Sequence, residues 1–236
     1  MRARVKEKRE IAKGTLLVTF DLLGEQVDFR PGQYFFVTLP DVGYQDERGL
    51  RRHITVVTSP NEKGILGLAT RMRDSAFKRS LAELEVGAEV DVEPPKGDFA
   101  LPEDSSRPLV FVAGGIGITV FRSMLRYVQA EELPHRITLI YSNRDRKSTA
   151  FLEELQELEE ENPALRLILT MTQDAGWEGE TRKIDAQFFE DYLGKDLNEY
   201  RFLVAGPPAM VEGIQKALDE AGVQEGNVVA ERYSGY

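Results

Sequence analysis

Two glycine-bearing turns are the residues best suited to chemistry in this sequence. The first, Ala113-Gly114-Gly115-Ile116-Gly117-Ile118-Thr119, follows an apolar run of strand type and opens a stretch with helical spacing. Glycine lets a backbone turn sharply and lets a ligand come close to it. The free N–H groups at the start of the following helix, aided by its dipole, then favour an anion. Gly114, Gly115, Gly117, Ile118 and Thr119 are therefore candidates for holding the pyrophosphate of a dinucleotide. The spacing is not G-x-G-x-x-G, and a turn of this kind can equally serve the fold alone. The second turn, Ala205-Gly206-Pro207-Pro208-Ala209-Met210, also stands between a strand and a helix, with Pro208 suited to the first helical turn. Two such turns at the carboxyl ends of parallel strands face one crevice, which adds Gly206, Pro207, Pro208 and Met210 to the candidates. Ser142, Asn143, Arg144 and Lys147 follow the second strand of this region. There a cation suits a ribose 2′-phosphate, and no acid stands directly at the strand end; Asp145 comes later. NADPH is favoured over NADH on this reading, the alternative being that Arg144 and Lys147 are ordinary loop charges.

Other chemistries are excluded by composition. No cysteine is present among the 236 residues, so disulfides, thiolate-held zinc or iron–sulfur clusters and thiol catalysis are absent from this sequence. Only His53 and His135 could supply imidazole, and no metal site is expected. Net charge is −10, and it is uneven: residues 1–101 carry 16 basic and 16 acidic side chains, whereas 24 of the 40 acidic residues lie beyond them. An acidic second half argues against nucleic-acid binding. No apolar run approaches the roughly 20 residues that span a bilayer. The first ten residues are too charged for a secretory signal, so a cytoplasmic location is the expectation.

The elements that must position these turns divide at Leu101. Before it, Val5–Arg9, Thr15–Asp21, Tyr34–Leu39, Arg52–Thr58, Ile65–Arg71 and Glu89–Glu93 read as short strands separated by turn residues. One helix interrupts them, capped by Asp74 or Ser75 and carrying Phe77, Leu81 and Leu84 on one face. The expectation for residues 1–101 is an antiparallel Greek-key β-barrel. Residues 102–107 are polar and read as a linker. From 107 to 236, strands near 109–113, 137–141, 165–170, 202–204 and 228–230 alternate with helices near 119–130, 150–160, 185–193 and 208–221, predicting a Rossmann-like α/β domain with a parallel sheet.

Taken in order along the chain, these motifs resemble the ferredoxin–NADP reductase family of flavoproteins. The resemblance is carried by Arg30-Pro31-Gly32-Gln33-Tyr34, Arg52-His53-Ile54-Thr55, Thr58-Ser59-Pro60, Asp74-Ser75-Ala76-Phe77-Lys78, Pro95-Lys96-Gly97-Asp98-Phe99, the two glycine turns and Glu231-Arg232-Tyr233. It implies a two-domain enzyme with FAD in the barrel and NADPH or NADH in the α/β domain. Hydride would pass between the nicotinamide and the flavin, and electrons would go on to a ferredoxin, a flavodoxin or an oxygenase component. Two other readings stay open: a reductase of free flavin or ferric complexes, and a noncatalytic dinucleotide-binding subunit of a larger redox complex.

The resemblance also implies roles for residues. Arg52 would pair with the FAD pyrophosphate, its guanidinium fork matching phosphate oxygens. Thr70, Arg71 and Met72, with Ser75, Phe77 and Lys78, would form the second flavin segment. Thr55 would offer its hydroxyl beside the flavin N5, and Glu231 would assist proton or electron exchange. Tyr233 or Tyr236 would cover the flavin face that the nicotinamide must reach. His53, on the opposite strand face from Ile54, is either a surface packing residue or an adenosine contact. Two positions depart from the family's pattern. Ile54 stands where an aromatic ring usually stacks on the flavin, and Ala205 where many relatives carry cysteine.

Overall fold

The chain opens on a short alternation, with Ala3 and Val5 turned inward between charged neighbours, that starts the first strand. In the computed structural model, which describes residues 1–233, strand β1 (Arg2–Ala12) buries Ala3 and Val5 and pairs antiparallel with β2 (Thr15–Asp21) across a turn at Gly14. β1 is longer than its apolar residues alone predict. Its charged outward positions belong to the strand because Met1 and Val5 also engage the far side, next to β6. Then follow β3 (Tyr34–Thr38), β4 (Arg51–Thr55), β5 (Ile65–Arg71), helix α1 (Ala76–Glu83) and β6 (Glu89–Val92). The order across the sheet is β4-β3-β6-β1-β2-β5, antiparallel at each pairing. The sheet curls so that Val57 N–H, just beyond β4, donates to Gly67 on β5. That crossing ends β4 at Thr55 rather than Thr58: Val56 still reaches back to Gln33, but Val57 has changed partner. Phe20, Phe35, Val37, Leu66, Leu68, Phe77 and Leu81 fill the interior.

The second sheet is parallel, ordered β11-β10-β7-β8-β9. Its strands are β7 (Leu109–Gly114), β8 (Ile137–Asn143), β9 (Leu165–Met171), β10 (Arg201–Gly206) and β11 (Val228–Arg232). β7 is buried at every position, as a central strand covered on both faces must be. Helices α2 (Ile118–Ala130) and α3 (Leu152–Glu161) cover one face, and α4 (Ala186–Leu193) and α5 (Pro208–Glu220) the other. α3 begins later than its periodicity suggests, because Phe151 takes a left-handed backbone (φ 59°) just before it. The strand order reverses between β7 and β10. Their carboxyl ends are Gly114 and Gly206, so both glycine turns stand at the switch point where open α/β sheets bind ligands.

The two sheets share a core. Leu17, Val57 and Ala69 of the barrel pack in one apolar cluster with Phe111, Ile118, Phe121 and Tyr233 of the α/β region. Among the described residues no helix is long and apolar enough to cross a membrane.

Candidate functional site between the two sheets

A cavity of about 610 Å³ opens where β3, β4, α1 and the end of β11 meet. That volume is in the range of small-molecule and cofactor sites. Register builds its first wall: Tyr34 pairs with Thr55 and Phe36 with His53. Tyr34, Phe36 and His53 consequently lie on one strand face, in mutual edge-on contact at 5.5–6.0 Å between ring centroids. Ile54 belongs to the other face, packed against the barrel core beside Phe35, and reaches the cavity from there.

The second wall is cationic. Arg48, Arg52, Arg73 and Lys78 all line the cavity, against the acids Asp74 and Glu231. Arg52 is held in place by its own loop: Nη1 donates to the carbonyls of Arg48, Gly49 and Arg51 at 2.7–2.8 Å, and its Nη2 lies 3.6 Å from Asp46. Lys78 stands in the first turn of α1, where Ser75 Oγ accepts from its backbone N–H at 3.3 Å. Burial, then the charges of Arg73, Arg48 and Arg52, push the Lys78 ammonium down to about 8. A cluster of like charges that includes one buried ammonium, at a helix N-terminus, is relieved by a multivalent anion, so the donor set fits a pyrophosphate.

The third wall joins the sheets. Thr55 is 7% exposed, and its Oγ1 donates to the Tyr233 hydroxyl at 2.8 Å. Beside it lies the Glu231 carboxyl, which lines the same cavity and whose Oε2 is buried with no hydrogen-bond partner among the described residues. Glu231 is set by register opposite Ala205, and Tyr233 N–H donates to the Gly206 carbonyl, so this tyrosine extends the sheet by one step towards the barrel. Burial pushes the Glu231 carboxyl up to about 7, and the Tyr233 hydroxyl only partly opposes it.

The glycine turns lie behind this wall. A side chain on Gly117 would meet the Ala205 carbonyl oxygen at 2.2 Å, and one on Gly114 would meet Met210 Sδ at 1.8 Å, so the two turns are packed directly on each other. Gly115 has φ 51°, in the left-handed region. Thr119 Oγ1 donates to the Ile116 carbonyl at 3.0 Å, and Ile118 and Thr119 are buried. Pro207 and Pro208 are exposed, and Met210 is half-buried. At the end of β8, Ser142 is half-buried and Asn143 buried, while Arg144 and Lys147 are exposed.

The cavity brings together Arg52, His53, Ile54, Thr55, Thr70, Ser75, Phe77, Lys78, Glu231 and Tyr233. Two residues of the second flavin segment go elsewhere. Arg71 lays its guanidinium over Gly115, where an added Cβ would be 3.1 Å from Nη2, and donates to the Ser148 carbonyl at 3.4 Å. It faces the first glycine turn because it ends β5, beside the seam. Met72 lines a separate hollow with Glu10, Gly14 and Leu16. Tyr236 lies outside the described residues. Arg48, Arg73 and Phe36 are lining residues that sequence reasoning did not assign, and Tyr34, a candidate to supply the aromatic surface that Ile54 lacks, lines the cavity too. The cue for the arginines was present: each is a cation close to a charge-bearing turn that leads to Arg52 or Ser75.

Both parts of the chain match families of known proteins. The family model for the oxidoreductase FAD-binding domain matches residues 2–101, and that for the oxidoreductase NAD-binding domain matches residues 111–216. The chain belongs to the ferredoxin–NADP reductase-like family of FAD- and NAD(P)-binding flavoprotein oxidoreductases. It is 27% identical over 214 residues to flavohemoprotein A of Dictyostelium discoideum, covering 84% of this chain and 51% of that protein. It is 24% identical over 240 residues to NADH-cytochrome b5 reductase 1 of Aspergillus terreus, covering 96% and 79%. The chain thus spans about half the length of the first of these. The crystal structure of a cytochrome P450 reductase from Amycolatopsis is 25% identical with a TM-score of 0.82, over 98% of this chain and 69% of that one.

Proposed function

We propose that this chain carries hydride between NAD(P)H and FAD and delivers the electrons to a separate carrier protein: a ferredoxin, a flavodoxin or an oxygenase component. The observation that carries this reading is the Thr55–Tyr233 hydrogen bond, which joins the two sheets beside the Glu231 carboxyl. It stands between a cationic cavity that fits a flavin dinucleotide and two interlocked glycine turns that fit a second dinucleotide. Residues 1–101 are read as the flavin domain and residues 107–236 as the nucleotide domain. FAD, when bound, supplies the conversion of a two-electron input into single-electron output.

The chain's own residues bind, orient and handle protons. Arg52, with Arg48, Arg73, Lys78 and the Ser75-capped start of α1, would hold the FAD pyrophosphate. Ile54 would pack against the ring system, and Thr55 would orient it by its hydroxyl. Glu231, poised near neutrality, is the group able to hold or release a proton beside Thr55 at working pH. Tyr233 occupies the place through which a nicotinamide would approach Thr55, so its ring must move aside for the nucleotide. Arg144 and Lys147 point to NADPH: both are exposed at the end of β8, whereas Arg146 is engaged by Asp174. Without cysteine, this sequence ligates no iron–sulfur cluster through thiolates, so the next carrier belongs to another protein or domain.

The test is an anaerobic titration of the FAD-loaded protein with NADPH and, separately, NADH. Bleaching of the flavin's visible band by at least one of them is expected, with NADPH acting at the lower concentration. Retained FAD that neither nucleotide bleaches would overturn the proposal.

A further inference from the structure

Helix α2 buries a cation. Ile118, Phe121, Arg122 and Leu125 recur at helical spacing on its covered face, and three of them are apolar. Arg122 is 7% exposed, and a guanidinium removed from water to that extent persists only with full pairing. Its partners come from both sheets. Nε and Nη2 form a two-point contact with the Glu154 carboxylate of α3, at 3.0 and 2.9 Å. Nη1 donates to the Val57 carbonyl of the barrel at 2.7 Å and lies 3.5 Å from Glu62. The next residue, Ser123, donates through Oγ to the Thr58 carbonyl at 2.7 Å. The guanidinium also faces the ring of Phe151 at 5.1 Å, the residue whose left-handed backbone starts α3 and so brings Glu154 into reach.

The position of this knot along the chain matters as much as its bonds. Val57 and Thr58 stand two and three residues beyond Thr55, the last residue of β4, and Arg122 belongs to the helix that opens just after Gly117. One guanidinium and one hydroxyl therefore fix the barrel's reacting edge to the helix of the glycine turn. We propose that Arg122, assisted by Ser123, is a positioning residue for hydride transfer: it sets the separation between Thr55 and the Gly114–Gly117 turn without touching either cofactor. The inference rests on the reading under Proposed function. Transfer between two held groups is steep in distance, and a misplacement of about 1 Å can cost on the order of a hundredfold in rate.

The absence of cysteine makes a direct test available. Lys6 on β1 and Glu212 on α5 are exposed, and replacing both with cysteine for spin labels reports the distance between the two sheets by pulsed electron resonance. This measurement does not depend on turnover. In the parent protein a single narrow distance is expected. Arg122→Lys, which keeps the charge but loses the two-point contact, should broaden or shift it. The same variant should slow the limiting rate of flavin reduction at saturating NAD(P)H by about tenfold, with unchanged FAD content and nucleotide affinity. Ser123→Ala removes a single bond and should act in the same direction, about threefold, and it decides the matter if Arg122→Lys does not fold. A parental distance and a parental limiting rate in a folded, FAD-loaded variant would overturn the inference. So would a rate loss fully explained by lost FAD. Failure of the parent protein to be reduced would instead overturn the functional reading, and the distance measurement would still show whether Arg122 holds the seam.

Discussion

Glu231 shows how one residue's surroundings set its chemistry. Its carboxyl is raised from the usual carboxylate range to about 7 because it is buried, and the Tyr233 hydroxyl does not supply enough bonding to restore it. The stability consequence has the opposite sign from that of a salt-bridged acid. Between the unfolded value, near 4.5, and the folded value, near 7, the native state holds the proton that the unfolded state has released. Stability contributed by this group is complete below the lower value and is lost as pH rises through the upper one. Glu231→Gln removes the titration. The urea midpoint of the variant should therefore fall less between pH 5 and pH 8 than that of the parent, by at most about 3 kcal/mol in unfolding free energy. Equal pH slopes would show that Glu231 titrates normally. Such a group could be named from the sequence by resemblance, as could Thr55 and Tyr233. Their contact across 178 positions could not, because nothing local records it. Arg122 went unassigned for a different reason. An arginine in an amphipathic helix ordinarily belongs to the solvated side, as Arg126 of the same helix does, and only the placement of Arg122 within the stripe Ile118, Phe121, Leu125 marks it as buried.

At the scale of elements, periodicity was a good guide wherever one face had one partner. β2 and β5 occupy the positions that alternation and turn residues predict, Ser75 caps α1, and Asp185 caps α4. It failed where the chain changed partners, as at Val57, where β4 ends although apolar residues continue. The glycine turns are the elements with least tolerance. Gly117→Ala places a methyl against backbone atoms of Ala205 and Gly206, at 2.2–2.9 Å, which no rotamer change can relieve. A loss of about 3 kcal/mol is expected, together with weakened nucleotide binding, measured by thermal melts and by titration of the dinucleotide. Gly213, within α5, has nothing within 4 Å of an added Cβ. Gly213→Ala should stabilise the protein by about 0.5–1 kcal/mol and leave nucleotide affinity unchanged. If the two variants behave alike, the packing of the turns is not what selects glycine there.

At the scale of the whole molecule, the sheets are not independent bodies. Leu17, Val57 and Ala69 would lose their apolar partners if the α/β region separated, and Tyr233 would lose its bond to Thr55. Heat should consequently unfold both regions in one step, with the calorimetric enthalpy equal to the van't Hoff enthalpy. Two resolved transitions would show that the shared cluster contributes little.

The knot at Arg122 also ties together two stretches of sequence that are far apart along the chain. Val57–Glu62 and Arg122–Glu154 meet through side-chain charge on one side and largely through main-chain carbonyls on the other. A change at 122 leaves Glu154 with Arg126, at 3.7 Å, as its ion partner and takes from Glu62 its buried cation, so in descendants of this chain these positions should drift in concert. Laboratory chimeras that exchange one half for a relative's would inherit the mismatch unless they carry α2 and α3 together with the loop after β4.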